Sequence, residues 1–181
     1  MFQIDAIHDG IFKVGGLLNS LQSEVLANDL YDLDWSRSWM PRDTAWYGDK
    51  DCHYTYSNTK NDPIPWTPEL LEIKAQVEEL SGHSFNSVLL NRYNNGHDSV
   101  NWHSDDEAEL GINPVIASLS IGATRRFEIK HKHDKTEWNI PLTNGVLLLM
   151  SGESQKNWLH RVPKEPHITK SRLNLTFRTI K

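Results

Sequence analysis

The chain has 181 residues, a length that one domain with a sizeable core accounts for, and its formal charge of −5 is too modest to decide a binding partner by itself. Cys52 is the single cysteine, which excludes a disulfide framework and a thiolate zinc centre and leaves His, Asp and Glu as the residues able to hold a metal. The start, "MFQIDAIHDG", lacks the basic residues and long apolar run of a secretory signal, and no stretch reaches membrane-span length, so a soluble, intracellular protein with no membrane partner is expected.

Taken in chain order, "GGLLNSLQSEVLANDL" from Gly15 has spaced leucines and predicts a helix that packs on the core. The segment "WTPELLEIKAQVEELSGH" predicts another: Thr67 can cap, Pro68 suits the first turn, Leu70, Ile73, Val77 and Leu80 recur at helical spacing, and Gly82 ends it. From Phe85 onward the pattern changes to alternation or short apolar runs, in "SVLLNRY", "PVIASLSIG", "RRFEIKHK", "EWNIPL", "GVLLLMSG", "WLHRVP" and "RLNLTFRTI". Gly, Pro and Asn separate these runs. Many short strands after a helical beginning predict an antiparallel sandwich or barrel with supporting helices, in one domain. Residues 125–181 hold 12 of the 19 lysines and arginines against 5 of the 24 acids, so a local basic surface for phosphates is expected there.

Two stretches carry chemistry. In "NWHSDDEAEL", His103 and Asp105 would share one face if the segment is extended, because strand side chains alternate. A third ligand must come from elsewhere, and His160 in "NWLHRVP" offers one; a His-x-Asp pair plus a distant histidine is the ligand set of a facial triad that leaves open positions on Fe(II). The ordinary alternative for His160 is a core histidine satisfied by hydrogen bonds. In "RLNLTFR", Leu173, Leu175 and Phe177 fall on one face and Arg172, Asn174, Thr176 and Arg178 on the other. The polar row could face water, but two arginines bracketing Asn and Thr also suit the two ends of a small dicarboxylate, since the guanidinium fork binds carboxylate in bidentate fashion.

The segments "NRYNNGHDSVNWHSDDEAEL", "PVIASLSIGATRRFEIKHK" and "QKNWLHRVPKE", followed by "SRLNLTFR", resemble the AlkB family of Fe(II)- and 2-oxoglutarate-dependent nucleic-acid dealkylases, nearest its eukaryotic-type branch. The resemblance runs from about Pro41 to the C-terminus. It implies a mainly β fold with supporting helices, a double-stranded β-helix or jelly roll, with residues 1–84 as N-terminal helices and nucleotide-recognition segment and 85–181 as catalytic core. It implies Fe(II) held by His103, Asp105 and His160. Arg172 with Tyr93 would hold the distal carboxylate of 2-oxoglutarate, Arg178 and Asn91 would lie near its keto-acid end, and Asn174 and Thr176 would line the same cavity.

On the substrate side the resemblance implies that Tyr54 and Tyr56 of "YGDKDCHYTYS" contact an extruded base, that Arg42 approaches the site, and that Asp106 and Glu107 lie beside the alkylated base. Trp46 is expected in the core, the lysines of "KHKHDK" at phosphates, and His131 and His133 at the surface. The implied reaction is oxidative demethylation of 1-methyladenine and 3-methylcytosine in DNA, with RNA as a further substrate, consuming O2 and turning 2-oxoglutarate into succinate and CO2 with release of formaldehyde. A monomer is expected, cytoplasmic in a bacterium and nuclear in a eukaryote. The competing readings are a dioxygenase of the same fold acting on a protein or small molecule, a cupin-like protein that holds metal without turnover, and a plain structural β-sandwich.

Overall fold

The computed structural model describes residues 4–7, 11–37, 41–56 and 59–181, with the backbone alone described at 4–7, 54–56 and 59–61. In chain order the elements are β1 (Ile4–Ile7), β2 (Phe12–Gly16), α1 (Ser20–Asp29), β3 (Asp43–Gly48), β4 (Tyr54–Tyr56), β5 (Thr59–Asn61), β6 (Ile64–Pro65), α2 (Pro68–Ser81) and β7 (Ser87–Tyr93). There follow β8 (Val100–His103), β9 (Ile116–Gly122), β10 (Arg125–His131), β11 (Glu137–Leu142), β12 (Val146–Met150), α3 (Ser154–Asn157), β13 (Trp158–Val162) and β14 (Arg172–Arg178).

From β8 on, the strands alternate between two sheets, except that β10 and β11 pair as neighbours in one of them. The major sheet has the order β1-β2-β12-β9-β14-β7-β3-β6 and the minor sheet β11-β10-β13-β8, while β4 and β5 form a separate ribbon. This is the jelly-roll arrangement, with the N-terminal strands β1, β2, β3 and β6 built into the same major sheet as the later strands.

Local chemistry sets the helices. Thr67 accepts a hydrogen bond from the Leu70 backbone N–H at the start of α2, Pro68 occupies the first turn, and Gly82 ends the helix in the left-handed region at φ 71°. Leu70, Ile73 and Val77 are its buried stripe. The first helix starts later than its leucine spacing suggests: Gly15 and Gly16 end β2, and α1 begins after Asn19, whose side chain accepts from Gln22 N while Gln22 Oε1 accepts from Asn19 N.

Both helices cover the outer face of the major sheet. Leu26, Leu70, Ile73 and Val77 pack there against Leu173, Leu175 and Phe177 of β14 and Val88 and Leu90 of β7. Fully burying one such side chain contributes about 1.5–3 kcal/mol. With the apolar row of β14 spent on this outer layer, its polar row must point between the sheets, and six of its seven residues are buried. A second cluster, including Phe127, Ile129, Ile140, Met150 and Trp158, fills the space between the sheets and leaves a polar cavity beside it.

The basic C-terminal third is less of a surface than its composition suggests. Arg125 and Arg172 are each 1% exposed and Arg178 points inward to Asp105. On the outside, Lys130 pairs with Glu137 and Arg161 with Glu128.

Candidate metal and cosubstrate site

Strand register brings the two histidines together. β13 meets β8 with His160 opposite His103, and their ring centroids are 4.2 Å apart. Asp105 is not on the strand, as extended alternation would have it, because β8 ends at His103. It lies in the following loop, where its backbone N–H donates to Gln155 Oε1 at 2.9 Å and its carboxylate turns back toward the histidines. One ligand atom from each of His103, Asp105 and His160 lies within 4.8 Å of the others.

The protonation states suit metal binding. His103 Nδ1 lies 2.8 Å from the Asn101 carbonyl, which can only accept, so Nδ1 carries the hydrogen and Nε2 is the atom left for a ligand. Burial pushes the His160 imidazole down to about 3, with the neighbouring His103 adding to the effect, so it is neutral at physiological pH. Burial opposes ionisation of Asp105, but Arg178, whose Nη2 donates to Asp105 Oδ1 at 2.6 Å, together with the two histidines holds its carboxyl below the usual range. Phe127 stacks on His160 at 5.2 Å and restrains the ring from its other neighbour strand. Two imidazoles and one ionised carboxylate, without sulfur, form a donor set that fits Fe(II).

Cross-strand register also builds the adjoining cavity. On the inner face of the major sheet Arg172 stands between Tyr93 and Gly122, Asn174 between Asn91 and Ser120, and Thr176 between Leu89 and Ser118. The cavity, about 50 Å³, runs from this polar row to the three ligands. Arg172 donates through Nη2 to Ser120 Oγ at 2.8 Å and lies over the Tyr93 ring at 5.2 Å, yet its Nε and Nη1 have no partner among the described residues. Burial pulls its pKa below the usual arginine value.

A buried donor left unmade costs about 1–3 kcal/mol, so a guanidinium held like this is fitted to an anion with two oxygens, a carboxylate. Arg178 Nε is likewise unpartnered among the described residues. Asn174 donates to Ser118 Oγ at 2.7 Å and to the Leu119 carbonyl at 3.1 Å, and Thr176 donates to Asn174 Oδ1 at 3.0 Å. Their hydrogen bonds go chiefly to the wall itself. Asn91 Oδ1 accepts from Arg42 Nε at 2.6 Å. The residues present thus fit a small dicarboxylate ending at the metal ligands.

Beyond the ligands lies a wider cleft of about 690 Å³, lined in part by Arg42, Trp46, Trp102 and Glu107. Trp46 packs on the core as expected, half-buried against the second apolar cluster, and it also lines the cleft together with Thr44 of β3 and Arg42 just before it, while Asp43, Ala45 and Tyr47 are buried. Asp106, expected beside the substrate base, is not among the cleft residues; its side chain is 63% exposed, 3.7 Å from Lys132 Nζ. The side chains of Tyr54 and Tyr56 lie outside the described residues, although the backbone pairs them with Asn61 and Thr59. Ser118, Ser120 and Gln155, which hold Asn174, Arg172 and Asp105, were not marked by any sequence pattern; only the register of β9 against β14 singles out the two serines.

Comparison with known proteins agrees with this geometry. Residues 32–178 match the 2OG-Fe(II) oxygenase superfamily. The chain is 53% identical over 150 residues to the bovine protein (Bos taurus) named alpha-ketoglutarate-dependent dioxygenase alkB homolog 3, covering 77% of this chain and 52% of that one. It is 39% identical over 149 residues to the human (Homo sapiens) DNA oxidative demethylase ALKBH2, covering 78% and 57%. The chain therefore spans about half the length of these curated relatives. The solved structure of OsALKBH1 superposes with a TM-score of 0.71 over 98% of this chain and 100% of that one, at 16% identity, a likeness of fold. The matched span contains all three clustered ligands and the strand that carries both arginines, and on that basis the chain belongs to the 2OG-Fe(II) oxygenase superfamily and, within it, to the AlkB family.

Proposed function

We propose that the protein is an Fe(II)- and 2-oxoglutarate-dependent dioxygenase that demethylates 1-methyladenine and 3-methylcytosine in DNA, and in RNA where the strand can reach the cleft. The observation that carries the reading is Arg172, a fully buried guanidinium with two nitrogens, Nε and Nη1, unpartnered among the described residues, at the far end of a cavity that ends on His103, Asp105 and His160. The names of the relatives, a dioxygenase and a DNA oxidative demethylase, support the same conclusion.

When bound, iron with 2-oxoglutarate and O2 supplies the oxidation, yielding succinate, CO2 and one oxygen atom inserted into a C–H bond of the substrate methyl group. The chain's own residues do the rest. His103, Asp105 and His160 would hold the metal, and His103 and Asp105 also border the cleft. Arg172, with the Tyr93 ring packed against its guanidinium, would hold the distal carboxylate of 2-oxoglutarate at the inner face of β14. Arg178 keeps Asp105 ionised and helps hold its carboxylate beside the two histidines.

In the cleft, Trp46 offers an aromatic wall for an extruded base and Glu107 a carboxylate that favours a base made cationic by alkylation. Arg42, anchored on Asn91, stands between the two cavities. Hydroxylation converts N–CH3 into N–CH2OH, which collapses without a protein nucleophile: the C–N bond electrons return to the base, formaldehyde leaves, and the hydroxyl proton goes to solvent.

Mass spectrometry of methylated single- and double-stranded oligonucleotides incubated with protein, iron, ascorbate and 2-oxoglutarate tests this directly. Loss of the methyl mass is expected. Unchanged oligonucleotides alongside steady succinate formation would assign the dioxygenase to another class of substrate.

A further inference from the structure

The two histidine-bearing strands are weakly tied to each other by their own ladder. β8 is the edge of the minor sheet, and it meets β13 at His160 opposite His103 and at Val162 opposite Val100, with the register shifting between the two positions. Three steps along β8 are thus matched by two along β13. At such a bulge pairing is locally broken, and a one-residue slip would carry His103 to the opposite face of the sheet.

What pins the register lies next to the site and not in it. Arg125, at the start of β10, is 1% exposed and lines neither cavity. Its guanidinium donates to the carbonyls of Asn95 at 3.2 Å and Asp98 at 2.9 Å, in the loop that enters β8. It also donates to the carbonyl of Pro163 at 2.6 Å and to Glu165 Oε2 at 3.1 Å, in the segment that leaves β13. The two segments are laced together directly as well: Glu165 N donates to the Gly96 carbonyl and Gly96 N to the Ile168 carbonyl. They approach so closely that a Cβ on Gly96 would fall 1.8 Å from the Glu165 carbonyl oxygen.

Stability alone does not account for this arrangement. A buried ion pair is often replaceable by apolar side chains at no net cost. An apolar residue could fill the volume, but only a planar fork can satisfy three carbonyls and a carboxylate on two different segments at once.

We propose that Arg125 is a positioning residue that sets His103 against His160, and through that register the metal affinity of the triad, without touching the metal site. The inference rests on reading His103, Asp105 and His160 as metal ligands. Its test uses Co(II) as the probe, titrated anaerobically into the full chain as wild type, Arg125→Lys and Glu165→Gln, following visible absorption, with near-UV circular dichroism and melting temperature reporting the folded fraction.

Arg125→Lys keeps the charge and the Glu165 pairing but cannot bridge the carbonyls. Its folded fraction is expected to bind Co(II) about 10- to 100-fold more weakly, the usual loss when support behind a metal ligand is removed, with an altered absorption spectrum. Glu165→Gln loosens the guanidinium without removing it, so a smaller loss in the same direction is expected, and it decides the matter if Arg125→Lys does not fold. Variants that melt lower yet bind Co(II) with wild-type affinity and spectrum would overturn the proposal and leave Arg125 a purely structural residue. Wild-type protein that binds no Co(II) would overturn the metal reading itself, and this inference with it.

Discussion

Replacing Arg172 separates cosubstrate recognition from folding more cleanly than any other change at the site. Nη2 is held by Ser120, while Nε and Nη1 are the donors left for a ligand. Arg172→Lys keeps a positive charge but offers a point donor in place of a fork, so one charge-assisted hydrogen bond of about 1.5–3 kcal/mol is lost. At 1.4 kcal/mol per factor of ten, the 2-oxoglutarate requirement should rise roughly 10- to 150-fold. Arg172→Met should remove recognition altogether. Because it also removes a buried charge with two unmade hydrogen bonds, its unfolding midpoint without ligand should be no lower than that of wild type. The assay is succinate formation against 2-oxoglutarate concentration, paired with melting curves: excess 2-oxoglutarate with metal should raise the wild-type midpoint and leave Arg172→Met unmoved. An unchanged 2-oxoglutarate requirement in Arg172→Lys would refute the assignment of the distal carboxylate.

His103→Ala, Asp105→Ala and His160→Ala should each abolish turnover in a folded protein and weaken Fe(II) binding in direct titration; a variant with full activity removes its residue from the triad. Asp43 predicts a pH effect on stability: burial opposes its ionisation, but Asn94, Arg92 and Arg37 outweigh that and hold its carboxyl below the usual value. A lowered folded-state pKa gives stability that is present above the unfolded value, about 3.9, and is lost as pH falls through the folded value. The melting-temperature gap between wild type and Asp43→Asn should therefore be full at neutral pH and close below about pH 4; a gap independent of pH contradicts the pairing. Tyr56→Ala should lose roughly 1–3 kcal/mol of binding to methylated oligonucleotide, the scale of one base stacked on an aromatic ring, and Tyr56→Phe much less. A Tyr56→Ala protein that is destabilised but binds normally in its folded fraction would make Tyr56 a packing residue.

Much of this was legible in the residues themselves, and what was not has a physical reason. The caps of α2 are local interactions within a few residues, so Thr67 and Gly82 announced the helix ends. The polar row of β14 was legible because two arginines bracketing Asn and Thr, on a strand without a single acid, suit a small dicarboxylate better than a solvated face, and the structure turns that row inward. The start of α1 was not legible: Gly15 and Gly16 are strand residues because β2 is paired by β1 and by β12, the latter about 130 positions later. Asp105 shares the site with His103 through a loop held by Gln155, a contact across 50 residues that alternation along a strand cannot express. Arg125 read as part of a basic surface, since nothing in its neighbourhood marks the distant Glu165 and Pro163 that draw it inside. Trp46 packs on the core as expected, but that it also borders the cleft depends on segments far from it in sequence, such as Trp102 and Glu107.

The central claim is that oxidation of 2-oxoglutarate at this site is coupled to removal of a methyl group from a nucleic-acid base. It is tested most directly by measuring succinate and formaldehyde together in one reaction, with a 1-methyladenine oligonucleotide and with its unmethylated twin. The account predicts equal amounts of the two products with the methylated strand and only slow succinate formation with the twin. Succinate produced equally fast with both strands, and no formaldehyde from either, would contradict it.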